Sequence, residues 1–193
     1  MNFLIVIASL LFYAPLAGLV ALAVVGLTPL RSREWLVTRI VAVAQATAFF
    51  SALVVAYHMI RSHLLVGSAE PLRILHHRLF SFDHHAVYFD LHVDSVNIWF
   101  VLMATVLSNI VGVFSQHYLH RDSGFYRFFL LIVLFLNGVL IVFLGSTFQS
   151  IFVGWEVVGI TSALLISFFT VRRETIDNAL HAFWAYRVSD VGL

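Results

Sequence analysis

Tyr126-Arg-Phe-Phe-Leu-Leu-Ile-Val-Leu-Phe-Leu-Asn-Gly-Val-Leu-Ile-Val-Phe-Leu144 carries one charge, Arg127, at its start and one strongly polar side chain, Asn137, inside. As a helix rising 1.5 Å per residue it is about 28 Å long, close to the roughly 30 Å hydrocarbon core of a bilayer. Runs of the same kind flank it, at about 2–27, 37–59, 96–118 and 149–170, and a sixth starts near Ala179. Over all 193 residues, 61% are hydrophobic and 11% charged, with mean hydropathy +0.97. Soluble domains carry about a quarter charged residues. A water-soluble globular fold is therefore excluded, and the expected class is an all-α polytopic transmembrane bundle of five full spans plus the start of a sixth.

Three segments follow from the punctuation. Residues 1–60 hold two transmembrane helices, the first closed by Thr28-Pro29 and the charged stretch Arg31 to Glu34. Residues 61–93 form a His-rich loop in which Val87 to Val93 alternates enough to suggest a short strand or hairpin. Residues 94–193 hold helices three to six. The apolar run from Phe3 to Leu30 has no basic leader and is about twice a signal peptide's apolar length, so it reads as a retained anchor. From Ala179 to Leu193 there are about 15 residues, fewer than the roughly 20 that cross a bilayer. The sequence is thus expected to stop inside a helix that a longer chain or a partner completes.

The loops on one side of these spans carry Arg31, Arg33, Arg121, Arg172 and Arg173, with Arg39 and Arg127 at helix ends. The other side has Arg61, Arg73 and Arg78 in a loop with as many acids. Positive residues favour the cytoplasmic side, which puts the N-terminus and the His-rich loop outside. Net charge is +1 without a basic run, so nucleic-acid binding has no support. All eleven basic residues are arginine and there is no cysteine. Disulfides, thiol nucleophiles and cysteine-held iron–sulfur or zinc sites are excluded.

Most acids sit in loops or at helix ends, where water solvates them. Glu156 is different: it lies seven residues inside Gln149 and fourteen before Thr170, about 10 Å from one face and about 20 Å from the other. An ionisable group at that depth is a functional candidate. Arg187 and Asp190, three apart on one face of the sixth helix, come to similar depth on an antiparallel neighbour. Arginine favours the ionised form of a carboxylate it touches, while apolar burial favours the protonated form. Small movements of Arg187 would then switch Glu156 between releasing and accepting a proton. Gly154, Gly159, Ser162 and Ala163 around Glu156 allow close helix approach.

His117 and His120 end the third span and His181 opens the sixth. His117 and His181 are candidate proton-uptake residues because histidine titrates near neutrality, although a hydrogen-bonded surface histidine explains each as well. His76-His77 and His84-His85, with Asp83 and His92, match no metal-site spacing, and no metal is expected. Asn109, Asn137 and Gln149 hold helices together or hold water, two uses the sequence does not separate.

Phe152-Val-Gly-Trp-Glu-Val-Val-Gly-Ile160, followed by Ser162-Ala-Leu-Leu-Ile-Ser167, resembles the fifth-helix signature of the subunit L family of NADH-quinone oxidoreductase, respiratory complex I, which is related to Mrp antiporter subunits. Tyr186-Arg-Val-Ser-Asp-Val-Gly192 resembles that family's next-helix segment, and Phe89-Asp-Leu-His-Val-Asp94 and Ser115-Gln-His-Tyr118 are weaker matches. The resemblance implies the front part of an antiporter-like fold, with Glu156 as the fifth-helix glutamate of a proton channel and Arg187 and Asp190 as its sixth-helix neighbours. Val157 and Ser189 stand where the family usually has glycine, departures that bear on packing more than on charge. The family's later lysines and second, inverted set of helices have no counterpart here. At most the front of one half-channel is implied.

The first reading is therefore a proton-translocating subunit of a complex I-type assembly. It implies partner membrane subunits, a surrounding bilayer of a bacterial or organellar inner membrane, protons (or Na⁺) as cargo, and no cofactor in this chain. The alternatives are the ion-translocating partner of an inorganic-carbon uptake complex or an Mrp-type antiporter, and a structural protein in which Glu156, Arg187 and Asp190 only clamp helices together. A stand-alone enzyme has no nucleophile–base pair or phosphate-binding glycine loop to rest on.

Overall fold

Five helices of the structure, a computed structural model describing residues 2–66, 70–82, 85–168 and 173–190, are long and apolar enough to cross a membrane. They are α1 (Asn2–Gly26), α2 (Glu34–Val66), α3 (Asn97–Tyr118), α4 (Phe125–Leu144) and α5 (Phe148–Ile166). A 3-10 turn, Pro29–Ser32, joins α1 to α2, and α6 (Arg173–Asp190) follows α5. The expected all-α polytopic bundle is the architecture observed. α6 is more polar and is not among the five.

Three boundaries differ from those expected. The 33 residues of α2 continue past Met59 to Val66 and reach about 50 Å, well beyond a bilayer core. Arg61 marks where the apolar span ends, but arginine and leucine are good helix formers, so the helix itself continues into the polar layer. α5 stops at Ile166 instead of Thr170, with Ser167 as its C-cap. α6 begins at Arg173, six residues before Ala179, with Glu174 favourably placed in its first turn.

Between α2 and α3 lies an antiparallel hairpin of β1 (Leu72–Phe82) and β2 (His85–Val93). Its register pairs Leu72 with Val93 and Phe82 with His85, with irregularities between Arg73 and Leu75 and between Arg78 and Phe80. The hairpin is fastened to the α4–α5 turn. Leu91 bridges Gly145, Ser146 N–H donates to Asp90 C=O (3.1 Å), Thr147 hydroxyl to Tyr88 C=O (3.0 Å), and Asp90 N–H to the Ser150 hydroxyl (2.9 Å). Leu91 and Val93 are fully buried, each worth about 1.5–3 kcal/mol if left in water instead. Asp94 then turns the chain into α3, its carboxylate accepting from the Val96 and Asn97 N–H groups at 2.8 and 2.7 Å.

Helices α1 to α4 share two apolar clusters. Leu11, Met59, Leu91, Ile98 and Leu144 belong to the one at the hairpin end, and Leu22, Val37, Val41, Phe125 and Phe129 to the other. On α2, α3 and α4 a polar layer falls between them in the chain. Gln45, 2% exposed, donates to the Ser108 hydroxyl (2.7 Å), and Asn109 donates to the carbonyls of Gln45 (3.2 Å) and Thr105 (2.8 Å). Asn137 donates to Val133 C=O while its own buried amide oxygen has no partner among the described residues. α5 packs on α4, and α6 on α5.

Candidate functional site

Close packing of α5 on α4 begins with two glycines. A Cβ on Gly154 would lie 2.7 Å from Val142 N and 2.8 Å from Gly138 O, and one on Gly138 2.9 Å from the Val157 side chain. Thr147 caps α5, its hydroxyl accepting from Ser150 N–H at 3.2 Å. Glu156 then sits near mid-helix, about 12 Å from Phe148 and about 15 Å from Ile166, more central than the sequence reading put it because α5 ends early.

On the other side of α5, Gly159 lets Tyr186 of α6 lie flat against the helix: a Cβ there would fall 2.1 Å from the Tyr186 ring. The Tyr186 ring stacks on Trp155, centroids 5.4 Å apart and planes 24° off parallel, and its hydroxyl donates to Trp155 C=O. Trp155 returns the contact through its indole N–H, which donates to Asp190 at 3.0 Å. This aromatic brace sets the height of α6 against α5.

Held by the brace, Arg187 donates through Nη2 to Glu156 Oε2 and stands 3.4 Å from Asp190 through Nη1. Its guanidinium lies 5.2 Å from the Phe183 ring centroid. Glu156, Arg187 and Asp190 are thus brought together, with side chains 22%, 30% and 12% exposed. The cluster is half-open on one face. Among the described residues, Asp190 Oδ2 and Arg187 Nε are buried without a hydrogen-bond partner, Asp190 Oδ2 meeting Arg187 only as a 3.4 Å ion pair. Two acceptors compete for one cation, so a modest rotation of Arg187 changes which carboxylate it neutralises.

The histidines are elsewhere. His117 is exposed at the end of α3, where a ring nitrogen donates to Val113 C=O at 3.2 Å. His181 is exposed on α6, six residues or about 9 Å from Arg187, with no hydrogen bond or ion pair among the described residues. His120 pairs with Glu34 at 2.6 Å. Asp83 and His84 lie outside the described residues, and among these no group of three His, Cys, Asp or Glu is placed to hold a metal. Asn109 joins α3 to α2, while Gln149 is exposed at the start of α5. Trp155 and Tyr186 were missed as site residues. Their signal was a glycine, Gly159, on the face of α5 that an aromatic beside Arg187 could reach.

Asp90, behind the hairpin, forms a second charged cluster with Arg73 (3.7 Å) and His76 (3.2 Å). Burial works to raise its pKa, but the neighbouring Ser146 and His76 side chains and the charge of Arg73 outweigh it, and the carboxyl is held below its ordinary value.

Residues 79–129 match the family described as NADH-ubiquinone oxidoreductase (complex I), chain 5 N-terminus. NADH-ubiquinone oxidoreductase chain 5 of Yarrowia lipolytica is 32% identical over 124 residues, 64% of this chain and 19% of the relative. The Marchantia polymorpha chain 5 is 35% identical over 100 residues, covering 52% and 15%. NADH-quinone oxidoreductase subunit L of Pseudomonas aeruginosa is 33% identical over 103 residues, covering 53% and 17%. The chain therefore spans a fifth or less of the length of these relatives. Over residues 79–129 it is similar to the N-terminus of complex I chain 5, and over 100 to 124 residues to chain 5 and subunit L relatives, the family its Glu156 and Arg187 segments resemble.

Proposed function

We propose that this chain forms the front of a proton-translocating, antiporter-like membrane subunit of a complex I-type assembly, with Glu156 as a proton carrier. The observation that carries the reading is Arg187, held by α6 between Glu156 of α5 and Asp190. While Arg187 rests on Glu156, the carboxylate is stabilised as an anion. When Arg187 turns toward Asp190, Glu156 is left among apolar side chains where the neutral acid is favoured, and it takes up a proton. His117 and His181, exposed on α3 and α6, supply protons from the surface through water. Electron transfer and any redox centre belong to partner subunits, which also cover the open face of the cluster. The N-terminus and the hairpin lie outside the cytoplasm.

The test is Glu156→Gln in the assembled complex, comparing protons moved per quinone reduced. Translocation is expected to fall at least tenfold while the variant still assembles. Unchanged stoichiometry overturns the reading. Replacing Glu156, Arg187 and Asp190 together by apolar residues of similar size separates it from a helix clamp, because a clamp survives that change with transport intact.

A further inference from the structure

At the opposite end of the bundle from the hairpin, the turn between α1 and α2 and the turn between α3 and α4 enclose a cavity of about 460 Å³. Arg31, Arg121 and Arg127 line it. Two carboxylates share the lining, and both are already engaged. Glu34 accepts from Arg121 N–H (2.8 Å) and from the His120 ring (2.6 Å), and Asp122 from Gly124 N–H (2.7 Å). Arg127 is held on Phe168, donating to its carbonyl with the guanidinium over its ring. By contrast, the guanidiniums of Arg31 and Arg121 have no hydrogen-bond or ion-pair partner among the described residues. Arg121 is also the chain's positive-φ non-glycine residue among those described (φ 65°), a left-handed backbone that sends its N–H to Glu34. An uncommon conformation kept at a cavity edge points to a constraint beyond chain reversal.

Part of the lining is apolar. Phe125 and Tyr126 supply it, and the Tyr126 hydroxyl donates to Leu22 C=O, which ties that part of the lining to α1. Two arginines with unpaired guanidiniums and two aromatic rings in one lining, at the level where α1 ends and α4 begins, fit an amphipathic anion. Basic pockets between membrane helices take anionic headgroups, and tyrosine prefers headgroup depth.

We propose that this cavity is a phosphate-binding site occupied by the headgroup of an anionic phospholipid of the adjoining leaflet, with Arg31 and Arg121 as the binding residues. The inference is independent of the proton-transport reading, since no residue is shared. Guanidinium binds a phosphate diester through paired charge-assisted hydrogen bonds, which a zwitterionic headgroup matches less well.

The experiment is native mass spectrometry of the protein released from detergent with equal phosphatidylglycerol and phosphatidylcholine, read as the bound fraction of each. Phosphatidylglycerol is expected to be retained in preference. Arg31→Gln and Arg121→Gln should each lower that retention by about tenfold, the factor carried by one lost hydrogen bond to a charged group. Arg33→Gln, an exposed arginine of the same turn outside the cavity lining, should leave it unchanged. Thermal melting in phosphatidylcholine nanodiscs, with inorganic phosphate or phosphatidylglycerol added, reports on the source of the phosphate and on folding of each variant. Stabilisation by phosphatidylglycerol alone, lost in folded Arg121→Gln, supports the site. Equal retention of the two lipids, an Arg33→Gln effect as large as that of Arg121→Gln, or stabilisation by inorganic phosphate to the same degree as by lipid overturns the headgroup assignment.

Discussion

Asp90 shows how a single carboxylate governs a whole contact. Its backbone and side chain both meet the α4–α5 turn, while Arg73 and His76 stand on the β1 side of it. Because its folded pKa lies below the ordinary value of 3.8, the stabilisation from Asp90 is present in full above that value. It fades as pH falls through the lower, folded value. The protection factors of the hairpin amides, exchange corrected for its intrinsic pH dependence, should therefore fall on acidification below about pH 4, and Asp90→Asn should remove that acid limb. An unchanged limb in the variant would assign the effect to another group. The pairing of Asp90 with Arg73 and His76 did not stand out in the sequence, since an acid in a polar loop reads as solvated. Glu156, Arg187 and Asp190 were legible for the opposite reason: a charge inside an apolar run has few explanations. Their aromatic brace was not, because stacking of Tyr186 on Trp155 depends on the relative rotation of two helices, which residue spacing alone leaves free.

Among elements, the spans were legible and their ends were not. Hydropathy reports where a helix leaves the bilayer, and α2 runs on beyond that point to Val66. In the hairpin, β2 kept enough alternation to be noticed, whereas the two irregularities in β1 shift its phase and break the period of two. What sequence spacing did reveal was the small-residue surface of α5. The two glycines in it act differently. At Gly154 a methyl group would strike backbone atoms of α4, which cannot give way, while at Gly159 it would strike the ring of Tyr186. Gly154→Ala is thus expected to force α4 and α5 apart and destabilise the bundle by about 1–3 kcal/mol, seen as a lower melting temperature in detergent. Gly159→Ala should leave the melting of the bundle nearly unchanged and displace Tyr186, loosening the grip of Arg187 on Glu156. Equal melting of the parent and Gly154→Ala would show that the glycine contact contributes nothing.

At the scale of the molecule, the two ends of the bundle differ in kind. One is closed by the hairpin, whose strands fasten to the start of α5 and bury Leu91 and Val93. The other is open and arginine-lined. If the arginine-rich end faces the cytoplasm, the hairpin holds the outer end of the helix that carries Glu156, and His117 and His181 lie toward the inner end. This assignment rests on the distribution of arginine alone, so it calls for direct measurement. These 193 residues hold no cysteine, so a thiol introduced among them is the only one in this stretch. Ser123→Cys marks the α3–α4 turn and Glu70→Cys the approach to β1, both at exposed positions. In intact cells a membrane-impermeant maleimide is expected to label Glu70→Cys and to spare Ser123→Cys until the membrane is opened. The reverse pattern would invert the bundle and place His117, His181 and the arginine cavity on the outer face.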